Sequence, residues 1–284
     1  MIEFPSYLYG SYEIPSPGDG ALFHYTKFES FLKIIETMTL RSSPLYKMND
    51  LNEANIYSLD WNSDFLMMTK AEKYLKEQCS VISFTKNYIT GPICEEGSNH
   101  PALWAHYAEN SNGVCIVLDK ELLLEINKKQ LSSLFYKLEP VEYNIHCAPN
   151  DEIMHKRYSD VSDFVRSNYR ELFFKKHTDW SYEGEERFFV ETPEIYLSIK
   201  GAIKYIILGG RLKNNEEHLR QIIQKMITPG TQSYKYLVFH SFAEMIPSTH
   251  GYATVNAAPL LYMQLQKMAT LAKNWLEWYD SNFS

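Results

Sequence analysis

The sequence predicts an α+β protein with mixed, mostly antiparallel central sheets and flanking helices. Three observations point there. Helical and extended periodicities are interspersed rather than strictly alternating, which disfavours a doubly wound parallel sheet. The 284-residue chain is 45% hydrophobic and 22% charged, the balance of a globular protein able to bury a substantial core. No internal repeat, low-complexity tract or Gly-rich nucleotide fingerprint of Rossmann or P-loop type interrupts the pattern.

Taken in order, residues 1–20 form an irregular N-terminal arm, with Pro5, Pro15, Pro17, Gly18 and Gly20. Residues 21–240 form one α+β domain, and 241–284 a C-terminal loop and covering helix. Ala21–Thr26 reads as a strand. Phe28, Phe31, Leu32, Ile35 and Met38 then recur at helical spacing, with Thr26 as N-cap and Glu29 completing a capping box. Thr39–Ser43 is a short strand, and Pro44–Glu53 a loop. A helix over 64–77 leads into a strand over Cys79–Thr85. Pro101–Ala108 is a short helix that places Trp104 and Tyr107 on one face. Asn112-Gly113 turns the chain into Val114–Leu118, an unbroken apolar run typical of a buried strand. A helix starts at 120, and a strand over Phe135–Tyr143 is interrupted at Pro140. Residues 151–177 read as a long helix ending in Lys175-Lys176-His177, cations that suit a helix C-terminus. Further strands are expected over 202–208 and 234–240, with a helix between. Leu260–Tyr279, with Leu261, Leu265, Met268, Leu271, Ala272 and Trp275 on one stripe, reads as an amphipathic helix.

Composition narrows the function classes. A net charge of -7 argues against broad binding to a phosphate backbone, while leaving room for a local groove. Cys79, Cys94, Cys115 and Cys147 are widely spaced, which supports neither a disulfide framework nor a zinc site. No signal peptide or membrane-spanning run is expected, and a reducing cytoplasm is the expected compartment. Tyr is abundant, at 21 copies, and Tyr and Trp suit a cleft for a ring-bearing ligand as well as they suit packing.

The most suggestive stretch is Trp180 to Val190, a turn feeding a strand. Strand alternation places Glu183, Glu185 and Arg187 on one face and Glu186 and Phe188 on the other. Two acids and an arginine there compose either a site or a ladder of ordinary ion pairs. Upstream, His24 and Tyr25 lie at a strand end beside a helix N-terminus, where free N–H groups and the dipole favour an anion or phosphate.

In order, His24-Tyr25-Thr26, Asn49-Asp50-x-x-Glu53, Cys79-x-x-x-Ser83-Phe84-Thr85, Trp104-x-x-Tyr107 and Glu183-x-Glu185-x-Arg187 resemble the bacterial family called domain of unknown function 2971, over roughly residues 21–240. More distantly the layout resembles ADP-ribosyltransferases, in particular the toxins that modify DNA bases. That resemblance implies an ADP-ribosyltransferase-like core with NAD as substrate. On it, His24 would hold the ribose or amide side of NAD, with Thr26 beside it. Tyr107 or Tyr25 would stack on the nicotinamide, and Ser83 and Arg187 would join the cofactor contacts. Glu185 would be catalytic and Glu183 would orient the acceptor. The acceptor would be a nucleic acid or a protein, and the chain a toxin or phage-defence effector with an antitoxin or defence-system partner. Chemically, cleaving the nicotinamide–ribose bond builds positive charge on the sugar carbon, which a fixed carboxylate stabilises. Two other classes remain open: a Mg²⁺-dependent nuclease using Asp50, Glu53, Glu183 and Glu185, and a non-catalytic ligand sensor.

Overall fold

The computed structural model describes residues 20–47, 65–86, 88–90, 93–95, 97–98, 100–144, 158–212, 217–218, 221, 237–239 and 262–263. The strands are β1 (Ala21–Thr26), β2 (Thr39–Arg41), β3 (Ser43–Pro44), β4 (Ser80–Lys86), β5 (Tyr88–Thr90), β6 (Ile93–Glu95), β7 (Val114–Asp119) and β8 (Tyr136–Pro140). They continue as β9 (Glu142–Asn144), β10 (Lys175–His177), β11 (Glu185–Val190), β12 (Tyr196–Ser198), β13 (Ile203–Leu208), β14 (Leu237–Phe239) and β15 (Tyr262–Met263). The α-helices are α1 (Phe28–Thr37), α2 (Phe65–Gln78), α3 (Pro101–His106), α4 (Lys120–Leu131), α5 (Val161–Ser167) and α6 (Tyr169–Phe173). The mixture of helices with mainly antiparallel strands is the α+β class expected. No helix among the described residues is long and apolar enough to cross a membrane.

The chain divides into two compact units, each assembled from separated segments. The first comprises Met1–Met38, Ser98–Leu122 and Ile199–Ser284. In it β7 pairs antiparallel with both β1 and β13, β13 runs parallel to β14, and β14 pairs antiparallel with β15. Val114 to Leu118 are fully buried, which is why that strand is apolar at every position instead of alternating. Phe28, Phe31, Leu32 and Ile35 form the buried stripe of α1, and Met38 ends the helix in the left-handed region at φ 53°. Ala21, Phe23, Trp104, Ala108, Cys115 and Val117 make a common core.

Two expectations change here. Thr26 does not cap α1. It closes β1 opposite Val114, and the N-cap position falls to Lys27, which makes no side-chain cap bond. The expected helix over Leu260–Tyr279 begins differently, since Tyr262 and Met263 form β15 against Val238 and Leu237. The rest of that segment lies outside the described residues, as do most of the N-terminal arm and Asn49, Asp50 and Glu53.

The second unit comprises Thr39–Gly97 and Leu123–Ser198. In it β4 lies between β3 and β11, and β11 lies between β4 and β8, all antiparallel. Among the described residues, three two-stranded ladders accompany this sheet: β9 with β10, β2 with β12, and β5 with β6. Its core is Leu45, Ala71, Leu75, Cys79, Val81, Val141, Phe164, Val165, Phe173, Phe174 and Phe189. The Phe173 and Phe189 rings stack at 3.9 Å. Burying side chains of this size contributes about 1.5–3 kcal/mol each.

The long helix expected over 151–177 is instead α5, α6 and β10, with 145–157 outside the described residues. Asp160 caps α5 by accepting from the Asp163 N–H. Asn168 ends it, because its backbone and its side-chain amide both donate to the Phe164 carbonyl. Lys175–His177 then pair in parallel with Glu142–Asn144, so the expected helix-terminal cations are strand residues.

Candidate functional site

The second unit gathers the charged residues singled out above. Glu183 is the last residue of a 3₁₀ turn over Thr178–Glu183, and Gly184 follows at φ 50°, a conformation that favours glycine. Glu185 opens β11. Glu183 therefore reaches the cluster through a turn, whereas Glu185 and Arg187 share a face by strand alternation. Across the ladder Thr85 lies opposite Glu185 and Ser83 opposite Arg187, so Ser83 joins that face.

Four charged side chains interlock. Arg187 donates from Nε and Nη2 to the two oxygens of Glu185, both at 2.8 Å, and from Nη1 to the Phe173 carbonyl at 2.6 Å. Lys176 Nζ lies 2.7 Å from Glu183 and 2.8 Å from Glu185. Glu183, Glu185, Lys176 and Arg187 are all buried, Arg187 at 1% exposure and Glu185 at 2%. Burial alone drives a carboxyl pKa up. Here the Arg187 and Lys176 charges and their hydrogen bonds overcome it and lower Glu185 from 4.5 to about 2. Glu185 is thus a buried carboxylate that stays ionised.

Aromatic groups border the cluster. The Tyr143 hydroxyl accepts from the Glu185 N–H at 2.9 Å, and burial pushes the Tyr143 pKa up. Lys176 sits 5.6 Å from the Trp180 ring centre, and Trp180 lies 6.2 Å from Tyr182. Lys176 and Tyr143 carry no site signal in the sequence pattern: a helical reading of 151–177 hides Lys176, and Tyr143 lies just past the Pro140 break.

The remaining candidates belong to the first unit. His24 is half-buried on β1 opposite Ile116, and Thr26 is buried. Tyr25 packs edge-on against Trp104 at 5.2 Å. Burial, and next the nearby Cys115, raise the Tyr25 pKa, while the His100 backbone N–H bonded to it opposes the rise. His100 is itself buried, which lowers it from 6.5 to about 4 and keeps it neutral. Trp104 donates to the Ser98 carbonyl at 2.7 Å, so it is a satisfied core residue. Tyr107 ends α3, half-buried, with its ring centre 6.4 Å from that of His106.

The N-terminus of α1 is not open to an external anion in the way expected. The Glu109 carboxylate accepts from the Phe28 N–H at 3.1 Å and supplies the negative charge there. Glu109, Asn110 and Ser111 all have positive φ, 49°, 53° and 67°. Gly113 then passes the end of β1 so closely that a Cβ would lie 2.3 Å from the Thr26 carbonyl oxygen. Among the described residues no group of three or more His, Cys, Asp or Glu side chains is arranged to hold a metal ion.

A family model matches part of the chain. It is that of a protein family of unknown function, DUF2971, and it matches residues 103–188. The match includes Trp104, Tyr107, Glu183, Glu185 and Arg187 and stops short of the His24–Thr26 strand. It bears out the family resemblance read from the motifs over a shorter span. No curated protein matches the sequence. Among solved structures, Thermus sp. 2.9 DarT in complex with NAD+ is similar with a TM-score of 0.35 and 9% identity, over 80% of this chain and 98% of that one. The same protein with ADP-ribosylated ssDNA gives a TM-score of 0.31 and 8% identity, over 78% of this chain and 94% of that one.

Proposed function

We propose that the chain is an NAD-dependent ADP-ribosyltransferase that modifies a nucleic acid or protein acceptor. The observation that carries this reading is the buried, ionised Glu185 beside Glu183, held by Arg187 and Lys176 and bordered by Tyr143, Trp180 and Tyr182. Loss of nicotinamide leaves a cation on the ribose, and a fixed carboxylate in a low-dielectric surround stabilises that cation without reorganising. In this reading Glu185 is the catalytic carboxylate, and Glu183 orients the acceptor and takes its proton. His24, Tyr25, Thr26, Ser83, Tyr107 and Arg187 are assigned to NAD. Arg187 serves mainly by positioning Glu185, since two of its nitrogens are already committed to that carboxylate. A toxin or defence role, with a matching antitoxin, is the biological setting proposed for such an activity.

A second reading is favoured by the same geometry. Both oxygens of Glu185 already accept hydrogen bonds, which also suits a buried strut in a non-catalytic ligand sensor.

The experiment is nicotinamide release from labelled NAD, with and without cell nucleic acid and protein as acceptors. Glu185→Gln keeps the side-chain shape and should cut turnover by about 10²–10³-fold, a typical loss when one electrostatic stabiliser is removed. His24→Ala should raise the KM for NAD. Turnover retained in Glu185→Gln rejects the catalytic assignment. NAD binding with no turnover in the unaltered protein selects the sensor.

A further inference from the structure

Tyr143 stands against the carboxylate cluster with one bonding capacity that the cluster does not use. The local backbone explains how it gets there. β8 ends at Pro140, and the chain then leaves the sheet. Val141 still donates to the Glu185 carbonyl at 2.9 Å, but Glu142 donates to the Phe174 carbonyl at 2.8 Å. β9 runs beside β10, with Tyr143 opposite Lys176. Register partners in a ladder present their side chains on one face, so the phenol lies beside the ammonium that joins Glu183 to Glu185. Its oxygen accepts the Glu185 N–H at 2.9 Å, where a regular antiparallel ladder would use the Val141 carbonyl.

A phenol can accept and donate at once. Tyr143 spends its acceptor side on Glu185, and among the described residues its proton goes to no acceptor. The side chain is half-buried, and burial is the leading cause that raises its pKa, so the group keeps that proton and is a standing donor. Glu185 has the matching capacity. A carboxylate offers about four acceptor sites. Arg187 takes one on each oxygen, Nε on Oε1 and Nη2 on Oε2, and Lys176 takes a second on Oε2. The remaining site is on Oε1.

A donor and an acceptor thus meet at one residue, and few ligand groups suit both. A carbonyl or phosphate oxygen accepts from Tyr143 but has no proton for Glu185. An ammonium donates to Glu185 but has no lone pair for Tyr143. A hydroxyl does both, and two hydroxyls on neighbouring carbons can divide the work.

We propose that Tyr143 is a ligand-binding residue whose O–H donates to a ribose diol while Glu185 Oε1 accepts from the same diol. The inference deepens the transferase reading and rests on it only for which ribose is held, the one that carries nicotinamide. Tyr143 then has two duties: it fixes the Glu185 backbone, and it orients the sugar against that carboxylate.

The test is calorimetric binding to the full chain of NAD and of two analogues, one lacking the 2′- and one the 3′-hydroxyl of the nicotinamide ribose. In the parent, at least one analogue should bind about tenfold more weakly than NAD, the scale of one hydrogen bond. Tyr143→Phe should weaken NAD by about the same factor and that analogue by less than about twofold, because variant and analogue remove two ends of one contact. A phenol that serves only the Glu185 N–H would weaken all the ligands alike, and that result overturns the proposal. If Tyr143→Phe does not fold, the parent decides: the analogue's tenfold loss keeps the contact, and equal binding of NAD and both analogues overturns it. NAD binding with this pattern but without nicotinamide release keeps Tyr143 and removes the transferase. Nicotinamide release with additive losses keeps the transferase and removes Tyr143. A parent that binds no NAD overturns both.

Discussion

The two units hold their polar groups by opposite means. In the second, four buried charges neutralise one another: Lys176, Glu183, Glu185 and Arg187. In the first, burial removes charge instead. His100 is held neutral and Tyr25 protonated against an apolar wall of Trp104 and Cys115. The contrast shows two uses of low dielectric. A paired cluster stores fixed charge where a reaction could use it. A desolvated His and Tyr keep their uncharged forms. The first arrangement is costly to break at any pH above the carboxylate range, and the second is vulnerable chiefly to protons.

Arg187→Met is the harshest way to break the contrast. It leaves Glu185 with Lys176 as its remaining cation and strips a donor from the Phe173 carbonyl. Removing one member of a buried pair costs about 3–5 kcal/mol. We expect a loss of that size in urea unfolding at pH 7, together with a rise in the Glu185 pKa. An Arg187→Met protein as stable as the parent would mean that the four charges are not a coupled network.

Acid titration separates the units by window. The folded-state pKa of His100 is lowered to about 4 from 6.5. The unfolded chain therefore takes a proton first, and the stability tied to neutral His100 is complete above pH 6.5 and lost as pH falls toward 4. The limiting slope is about 1.4 kcal/mol per pH unit. Glu185 is depressed to about 2 from 4.5, so its contribution is present above pH 4.5 and lost as pH falls toward 2. Amide exchange at pH 5 should thus show the first unit opening more readily than at pH 7, with β11 unchanged. His100→Leu should flatten the upper window alone. Faster exchange in β11 at pH 5 would contradict this order.

The sequence revealed most of the strands because their patterns are local. Ala21–Thr26 is the strand expected, and Val114–Asp119 the buried run. Strand alternation was enough to put Glu185 and Arg187 on one face, and short-range contact then couples them. Lys176 escaped because its pairing is non-local: Lys175–His177 hydrogen-bond to β9, some thirty residues upstream, and that tertiary ladder overrides helix propensity. Thr26 as cap failed for a related reason. A strand partner claimed its backbone, and Glu109, 81 positions beyond Phe28, supplied the capping oxygen. Local rules saw the need for an acceptor at α1 but had no means of naming Glu109.

That remote cap offers the smallest effect and the finest comparison of the units. The Glu109 carboxylate is half-buried and meets a single Phe28 N–H, so water and the helix dipole share its stabilisation. Loss of an N-terminal capping acceptor costs about 0.5–2 kcal/mol, and the charge alone about 0.3–1 kcal/mol through the dipole. Glu109→Gln, which keeps an acceptor and drops the charge, should therefore cost less than Glu109→Ala in thermal or urea unfolding. Both should fall below Arg187→Met, because Glu109 has solvent to fall back on and Glu185 does not. The Gln variant should also lose its difference from the parent in high salt, where the dipole is screened. Equal costs for Gln and Ala would show that charge, rather than the hydrogen bond, holds the start of α1, and the first unit would then depend on fixed charge in the way the second does.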